Sequence, residues 1–595
     1  MLYIRRKQMA LSMLIVYPVF LYFMACIAPY IKGSLPETVN YMTDNEIKYI
    51  PTDFSYHTGR VLLISTFTYF IMMFIIIACM RNTRNEAEYG SAKFGSVFFL
   101  ARKYRDKIKE ANIRLTKNVS IALNYLLHQK NLNILIVGGS GTGKSRGFII
   151  PNILMANSSF IVTDPKGELL SKTGSYLKKK GFSIRVLDLK NHEKSFGFNP
   201  FKYFKDDNDI LIFANNMWES MSDKRATKGD EVWPELAKAM LLSFMLYLFH
   251  FAPPDEQNFD MVMKMYKEVK ASEGMREEET VIDIMFNEID PNDTAYGYYK
   301  TWSNAKGRTL ASILATFAAK MTVFNLESMR NLTYFDEMDL LDFANKDKKV
   351  ALFCITPDDD ASFNFLAATL YRQLMTLLYD YADNVLHGPL PNLVLFFLDE
   401  FANIALPDNF NQIMATARSR NMAFTIVLQN NEQIETLYEK WHKTIISNCD
   451  SYIFLGSSEF ETCEYFSKLL GKETISYFTA EPNQKGFLPV RRETKVGREL
   501  MMPDELRKFD NRKTILFIRG EDPVMDYKIN LKRCKNYKEL ADGKRFKINL
   551  YEWGDNKYIS NGAAAMVTDY TGAVTPLPQT NSVLLSDHDI DVLFG

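Results

Sequence analysis

The segment NILIVGGSGTGKS, residues 133–145, decides the fold of this chain. Its first residues are apolar and β-branched and predict a buried strand, and the pattern G-x-x-x-x-G-K-S follows directly. In such a loop the backbone N–H groups bind phosphate oxygens, Lys144 reaches the β- and γ-phosphates, and the Ser145 hydroxyl ligates Mg²⁺. The sequence therefore predicts a site for ATP and Mg²⁺ formed by Gly138, Gly139, Ser140, Gly141, Thr142, Gly143, Lys144 and Ser145.

A second apolar run, LVLFFLDE at residues 393–400, ends in two adjacent carboxylates. The carboxyl ends of parallel strands in an α/β sheet meet at one edge, where ligands bind. We expect Asp399 to hold the magnesium shell at this edge, and Glu400 to orient and polarise the attacking water. A solvated strand end is the plainer interpretation of the pair, but the phosphate-binding loop in the same chain favours a catalytic one.

Two further groups are candidates for the hydrolysis step. Arg418 and Arg420 lie in TARSRN, after the Asp-Glu strand, and Arg418 is the first candidate for an arginine finger that acts on a neighbouring subunit. Gln429 ends the run AFTIVLQ, where its amide can hold the water or contact the γ-phosphate. The plainer alternatives are exposed helix charges for the arginines and a strand-end cap for the glutamine.

Short apolar runs recur between helical stretches beyond residue 130. Such runs predict an α/β fold with a mostly parallel, doubly wound sheet that is covered on both faces. Between about Lys205 and Tyr299 we find no run of this kind, and the apolar spacing favours helices, which predicts an all-α insertion. The predicted strands are residues 133–138, 160–164, 183–189, 349–355, 393–399, 423–429, 451–456 and 514–520.

The N-terminal region differs from the rest of the chain. Residues 9–31 and 61–80 carry no charged side chain, and each run is long enough to cross the hydrocarbon core of a membrane. Basic residues precede the first run and follow the second, so we expect two spans in the cell membrane with both termini and the bulk of the chain in the cytoplasm. A secretory signal for the first run and a buried core helix for the second are the alternatives.

The composition is that of a globular protein and leaves the partners open. The 595 residues contain 71 Lys+Arg and 71 Asp+Glu, a formal net charge of +0, which excludes a binder that is basic overall. The six cysteines include no C-x-x-C pair, which argues against a disulfide framework or a zinc site. Three basic clusters with nearby Tyr176 and Tyr537 are candidates for contact with single-stranded DNA that does not depend on its sequence, namely residues 102–109, 178–185 and 528–538.

Several further segments, in this order, make the chain resemble the TraG/TraD-type coupling proteins, the membrane-anchored ATPases of conjugative type IV secretion systems. The resemblance covers roughly residues 1–530, and DPKGE, FNPF and DEFANI are its most specific parts. The segments are GSAKF (90–94), TDPKGEL (163–169), FGFNPF (196–201), DEVWPELAKAML (230–241), LDEFANI (398–404), RSRNMAF (418–424) with its following LQ, and GRELMMPDEL (497–506).

The resemblance implies a RecA-like P-loop NTPase domain with an inserted all-α domain, assembled as a hexamer. It implies an ATPase that recruits a relaxase–DNA complex and drives single-stranded DNA towards the type IV secretion channel proteins. A receptor that docks secreted protein substrates, with the nucleotide as a switch and without DNA pumping, is the first alternative. A related DNA pump of the chromosome-partitioning kind is the second. The domain boundaries we predict are a membrane anchor at 1–84, a nucleotide-binding domain at 85–204 and 300–540, the all-α insertion at 205–299, and a C-terminal extension with a disordered acidic tail at 541–595.

Overall fold

The described part of the chain forms two compact units in the computed structural model. One unit is drawn from Met1–Ser91 and Lys472–Arg498, and the other from Ala92–Gly471 and Glu499–Gly595. The predicted tail at 541–595 and residues 272–279 within the predicted all-α insertion lie outside the described residues. The structure describes residues 2–31, 33–45, 50–51, 55–79, 87–221, 232–271, 280–357, 362–401, 409–438, 440–481 and 490–540.

The helices and strands are numbered in chain order. The helices are α1 (Leu2–Ile27), α2 (Leu35–Asp44), α3 (Tyr56–Cys79), α4 (Val97–Tyr104), α5 (Ile150–Ile153), α6 (Glu168–Lys179), α7 (Asp207–Ser220), α8 (Val232–Phe251), α9 (Phe259–Ala271), α10 (Val281–Asn287), α11 (Thr294–Ser303), α12 (Arg308–Lys320), α13 (Glu327–Tyr334), α14 (Asn364–Asp380), α15 (Phe410–Thr416), α16 (Glu432–Leu437), α17 (His442–Ser447), α18 (Phe460–Leu470) and α19 (Pro503–Arg507). The strands are β1 (Asn112–Arg114), β2 (Ser120–Ala122), β3 (Ile134–Val137), β4 (Ser159–Thr163), β5 (Phe182–Asp188), β6 (Lys349–Ile355), β7 (Val394–Leu398), β8 (Met422–Leu428), β9 (Ser451–Phe454), β10 (Lys472–Glu481), β11 (Val490–Glu499), β12 (Lys513–Ile518) and β13 (Val524–Tyr527).

A large mixed sheet organises the second unit. Its strand order is β13-β12-β9-β3-β8-β7-β4-β6-β5. Neighbouring strands from β9 to β5 run parallel, whereas β12 pairs antiparallel with both β9 and β13. This arrangement confirms the predicted mostly parallel α/β fold. Of the two antiparallel strands at one end of the sheet, the sequence pattern predicts β12 and not β13.

The sheet separates two apolar cores, because successive side chains of a strand point to opposite faces. Leu135 and Val137 lie in the core that also contains the helical region, whereas Ile134 and Ile136 lie in the core beneath α5 and α6. All four side chains are fully buried. Burial on both faces explains why the strands are almost continuously apolar rather than alternating.

Helices fill the chain between β5 and β6, where the described residues contain no strand. They continue beyond the predicted end of the insertion at residue 299, through α12 and α13 to Tyr334. The helix α8 is long and apolar enough to cross a membrane, but 61% of its apolar window is buried within the protein. We therefore interpret α8 as the central helix of this bundle, where Trp302 donates its indole N–H to Ser243 at 3.0 Å.

The first unit contains the two N-terminal apolar helices. Residues Met9–Tyr30 and Tyr56–Ala78 are each long and apolar enough to cross a membrane. The two helices pack together through Tyr17 and Tyr69, whose hydroxyls bond to Thr66 Oγ1 at 3.0 Å and to the Met13 carbonyl at 2.7 Å. These bonds satisfy the two phenol groups inside an apolar pair, as a membrane interior requires.

The same unit contains a hairpin of β10 and β11, which the apolar pattern of the sequence does not predict. The segment before α4 joins it, because Thr474 Oγ1 accepts hydrogen bonds from the backbone N–H groups of Tyr89 and Gly90. A Cβ atom at Gly90 would stand 2.1 Å from the Lys472 carbonyl oxygen. This close approach explains the glycine that opens GSAKF.

Candidate active site

The phosphate-binding loop follows β3 at the carboxyl edge of the sheet. Its first residue is fixed to the neighbouring strand, because the Gly138 N–H donates to the Leu428 carbonyl at 3.1 Å. Gly141 and Gly143 have φ values of +74° and +84°, which a side chain would disfavour. A π-turn at Ser145–Ile149 then continues into α5. The glycines thus produce the concave backbone that an anion site needs.

The structure brings Ser145 and Asp399 into direct contact. The Ser145 hydroxyl donates to Asp399 Oδ2 at 2.9 Å. Asp399 follows β7, and its side chain is almost fully buried. A hydroxyl and a carboxylate at a phosphate loop are the oxygen donors that Mg²⁺ prefers. The described residues contain no group of three or more His, Cys, Asp or Glu side chains that could hold a metal ion. Phosphate and water oxygens would therefore complete the coordination shell of Mg²⁺ at this site.

Charge and burial oppose each other at this edge. Burial raises the pKa of Asp399, against the hydrogen bond from Ser145 and the positive charge of Lys144. Burial likewise lowers the pKa of Lys144, against the attraction of Asp399 and Glu400. The Lys144 ammonium donates to the Gly138 carbonyl at 2.9 Å, within its own loop. The attraction between the two opposite charges therefore offsets part of the cost of burying each of them.

Glu400 and Gln429 lie at the same edge of the sheet. Glu400 has a φ of +51°, a backbone conformation that non-glycine residues rarely adopt, and its N–H donates to Asp399 Oδ1 at 3.2 Å. Gln429 follows Leu428, which is paired in register with Val137, so it stands level with the first residue of the phosphate loop. Strained residues concentrate at functional sites. Glu400 is thus close enough to Lys144 for their charges to interact, and the backbone of Gln429 adjoins the loop.

The two arginines lie at the opposite, amino edge of the sheet. The seven residues of β8 separate them from Gln429, which corresponds to roughly 23 Å. Arg420 is fixed there by a bidentate pair with Asp383, at 2.6 and 2.8 Å, and it stacks on Tyr379. Arg418 is exposed. Within one chain neither arginine reaches the phosphate loop, so either could act only on another subunit.

Two groups near the loop were not identified from the sequence. The buried Asp164 carboxylate accepts the Leu170 N–H at 2.8 Å, and burial raises its pKa to about 6. Thr163 pairs with Leu398 in the register of β4 and β7, so Asp164 stands level with Asp399. The second group is Lys528, whose ammonium contacts the phosphate loop itself. The end of a buried strand is a signal that could have identified Asp164, but Lys528 has no such signal.

The structure corrects part of the interpretation of the basic clusters. Tyr176 is only 2% exposed and donates its hydroxyl to the Leu154 carbonyl, so it is not available to stack on a base. Lys103 pairs with Glu521, and Arg185 lies 3.4 Å from Asp342. These residues stabilise the fold, and the proposed stacking role of Tyr176 was wrong.

Comparisons with known families and proteins agree with one another. A family model described as type IV secretory system conjugative DNA transfer matches residues 102–550. The protein VirD4 of Rhizobium rhizogenes is 21% identical over 500 residues, which cover 78% of this chain and 68% of VirD4. The conjugal transfer protein TraG of Escherichia coli is 22% identical over 365 residues, which cover 59% of this chain and 56% of TraG.

Solved structures of a bacterial conjugative coupling protein, TrwB, share the fold. The unbound form of TrwB superposes with a TM-score of 0.51 at 16% identity, covering 74% of this chain and 97% of the TrwB chain. A structure of TrwB in complex with ADP and Mg²⁺ gives a TM-score of 0.50 at 16% identity, covering 75% of this chain and 97% of the other.

Proposed function

The chain belongs to the type IV secretory system conjugative DNA transfer family, and we propose that it is a membrane-anchored, Mg²⁺-dependent ATPase of that system. In this proposal it recruits a relaxase with its attached single-stranded DNA and drives the DNA towards the secretion channel. The observation that carries the proposal is the hydrogen bond between Ser145 and Asp399, which joins the phosphate loop to the Asp-Glu strand.

The donor atoms present fit a magnesium nucleotide. TrwB has the same fold and binds ADP with Mg²⁺, which supports the same ligands for this chain. Ser145 and Asp399 would hold Mg²⁺, which supplies positive charge to the β- and γ-phosphates when it is bound. The loop glycines bind phosphate oxygens through their N–H groups, and Lys144 turns from the Gly138 carbonyl to the phosphates.

Glu400 and Gln429 would act on the water. Glu400 directly follows Asp399 with an unusual backbone conformation, and its charge acts on Lys144. Glu400 would accept a proton from the attacking water, and the amide of Gln429 would hold that water in line with the γ-phosphate.

Arg418 would complete the site of a neighbouring subunit. The side chain is exposed and lies over the ring of Tyr125 at 5.4 Å. The next residues, Leu126 and Leu127, are 71% and 60% exposed, so an apolar surface adjoins the arginine. A second copy of the chain would cover this surface and receive Arg418 at its phosphate loop. Repetition of such a head-to-tail contact closes a ring, and we propose a hexamer.

The N-terminal unit would anchor this ring in the membrane. The apolar helices at Met9–Tyr30 and Tyr56–Ala78 would span it, with both termini in the cytoplasm because the flanking basic residues stay inside. The helical region from α7 to α11 would face the cytoplasm and take part in choosing the substrate. We keep the predicted domain boundaries as part of this proposal.

ATP hydrolysis by the full-length protein in detergent or nanodiscs tests this function. We expect hydrolysis that single-stranded DNA of any sequence stimulates and that Lys144→Ala abolishes. Two results together would contradict DNA pumping and favour the nucleotide-switched receptor. The first is a rate of ATP hydrolysis that DNA does not change, and the second is relaxase binding that is equally tight with and without nucleotide turnover.

A further inference from the structure

Lys528 joins three loops at the phosphate site. It directly follows β13, and its backbone N–H donates to the Arg512 carbonyl at 2.9 Å. Its ammonium donates to the Thr142 carbonyl at 2.8 Å, the Leu455 carbonyl at 2.7 Å and Asn511 Oδ1 at 2.8 Å. An ammonium group has three N–H donors, and these acceptors use all of them. The side chain is therefore fixed in one orientation.

The bond to Thr142 determines the direction of one peptide group in the phosphate loop. In a trans peptide the carbonyl of Thr142 and the N–H of Gly143 point to opposite sides of the chain. The described residues contain no cis peptide bond. Because Lys528 holds the carbonyl on its own side, the Gly143 N–H points away from Lys528. An anion cradle needs successive N–H groups on its concave side, with the carbonyls turned outwards.

The surroundings of Lys528 make this bond strong. Burial lowers the pKa of the ammonium to about 8, against the attraction of Asp510. A Cβ atom at Gly147 would stand 3.9 Å from the Lys528 Cβ, so the lysine stem passes close to the first turn after the loop. Charged donors in a partly desolvated site form stronger hydrogen bonds than neutral ones.

We propose that Lys528 is a positioning residue for nucleotide binding, which holds the phosphate loop in the conformation that receives the phosphates. The proposal rests on the proposed function of the loop. The basic composition of residues 528–538 suggested contact with DNA. The proposal instead assigns Lys528, at the end of β13, to the nucleotide site. The three bonds of its ammonium make Lys528 a part of the nucleotide site rather than of a DNA surface.

The test measures the dissociation constant of Mg²⁺-ADP for the full-length protein in detergent, by calorimetry or with a fluorescent ADP analogue. Lys528→Met keeps the apolar stem and removes the donors, whereas Lys528→Arg keeps a charged donor group. Lys535→Met, at an exposed position of the same basic cluster, is the matched control. We expect Lys528→Met to weaken binding by about 10- to 100-fold, Lys528→Arg to restore most of the affinity, and Lys535→Met to change it less than about twofold.

A pH series separates positioning from a general loss of structure. The charged residues beside Lys528 are Asp510 and Arg512, and all variants retain them. Wild-type affinity should fall between pH 7 and 9 as the Lys528 ammonium loses its proton, and this fall should be smaller in Lys528→Arg, because a guanidinium stays charged.

Each outcome decides one of the two proposals. Equal ADP affinity in the wild type and Lys528→Met would overturn the role of Lys528. The role would also be overturned if Lys528→Met and Lys528→Arg lost ADP affinity equally and the affinity of every protein depended on pH in the same way. Lys528 would then only support the fold. A wild-type protein that binds no ADP would instead overturn the proposed function. Binding of ADP by the wild type and not by Lys144→Ala would support it.

Discussion

The two edges of the large sheet differ in what a single chain can complete. At the carboxyl edge, Ser145 and Asp399 are in contact and Lys144 shares their electrostatic environment. At the amino edge, Arg420 is bound to Asp383 while Arg418 is exposed. In the proposed function, the carboxyl edge of one chain binds the nucleotide, and the arginine that completes the site would come from another copy.

Removal of the lysine from the carboxyl edge should have the largest effect. Lys144→Ala deletes the positive charge that attracts Asp399 and Glu400, and it should abolish both nucleotide binding and hydrolysis. Binding is measured by calorimetry with Mg²⁺-ADP, and phosphate release reports turnover. A variant that binds ADP as tightly as the wild type would contradict the role of this edge.

Removal of the exposed arginine should sharpen the contrast between the edges. We expect Arg418→Ala to lower the turnover rate by about 10³- to 10⁵-fold and to leave ADP affinity unchanged, because the finger acts only on the transition state. Arg420→Ala is the matched control. This variant removes the bidentate pair with Asp383 and the ring contact with Tyr379, so its main effect should be a lower melting temperature. Its effect on the turnover rate should be minor. A loss of turnover in Arg420→Ala together with normal turnover in Arg418→Ala would contradict this interpretation.

Glu400→Gln should separate binding from chemistry within the carboxyl edge. The amide keeps the size of the side chain and cannot accept a proton from water, so turnover should fall by about 10²- to 10⁴-fold. The dissociation constant for ADP should stay within about threefold of the wild type, since Glu400 does not hold the phosphates. Retained turnover would remove Glu400 from the catalytic role.

The smallest effect concerns the buried charge of Asp164. Its pKa is about 6 in the folded protein and near 3.8 in the unfolded chain, so wild-type stability decreases as pH rises from about 4 to 6. Asp164→Asn keeps an acceptor for the Leu170 N–H and removes the charge. At pH 7 we expect the variant to be more stable by about 2 to 3 kcal/mol, with a smaller gain at pH 5. Thermal unfolding at the two pH values checks this, and a difference that does not change with pH would refute it.

The sequence predicted the parts of the fold that local patterns determine. The strands from β3 to β9 and β12 are short apolar runs because most of their residues are buried, on both faces of the sheet. The same logic placed Asp399 at the carboxyl edge, beside the phosphate loop. Arg418 and Arg420 precede β8 in the sequence, and this order alone places them at the amino edge of the sheet.

The rest depends on contacts between distant residues. Lys528 and Thr142 are 386 positions apart, and a lysine in a basic stretch has no local mark of burial. The hairpin of β10 and β11 is rich in polar residues, so its strands lack the apolar pattern that marked the others. The sequence suggested that Tyr176 is available for stacking because it does not show that this hydroxyl donates to the Leu154 carbonyl and accepts from Asn536.

Complementation between two inactive variants tests most directly whether the site is shared. The full-length Lys144→Ala and Arg418→Ala chains would be produced together with different affinity tags, purified through both tags, and assayed for ATP hydrolysis. With random mixing, the account predicts recovery of about a quarter of the wild-type rate, because that share of the interfaces joins an intact Lys144 to an intact Arg418 from the neighbour. A mixed assembly as inactive as either variant alone would contradict the claim that the two edges of neighbouring sheets form one active site.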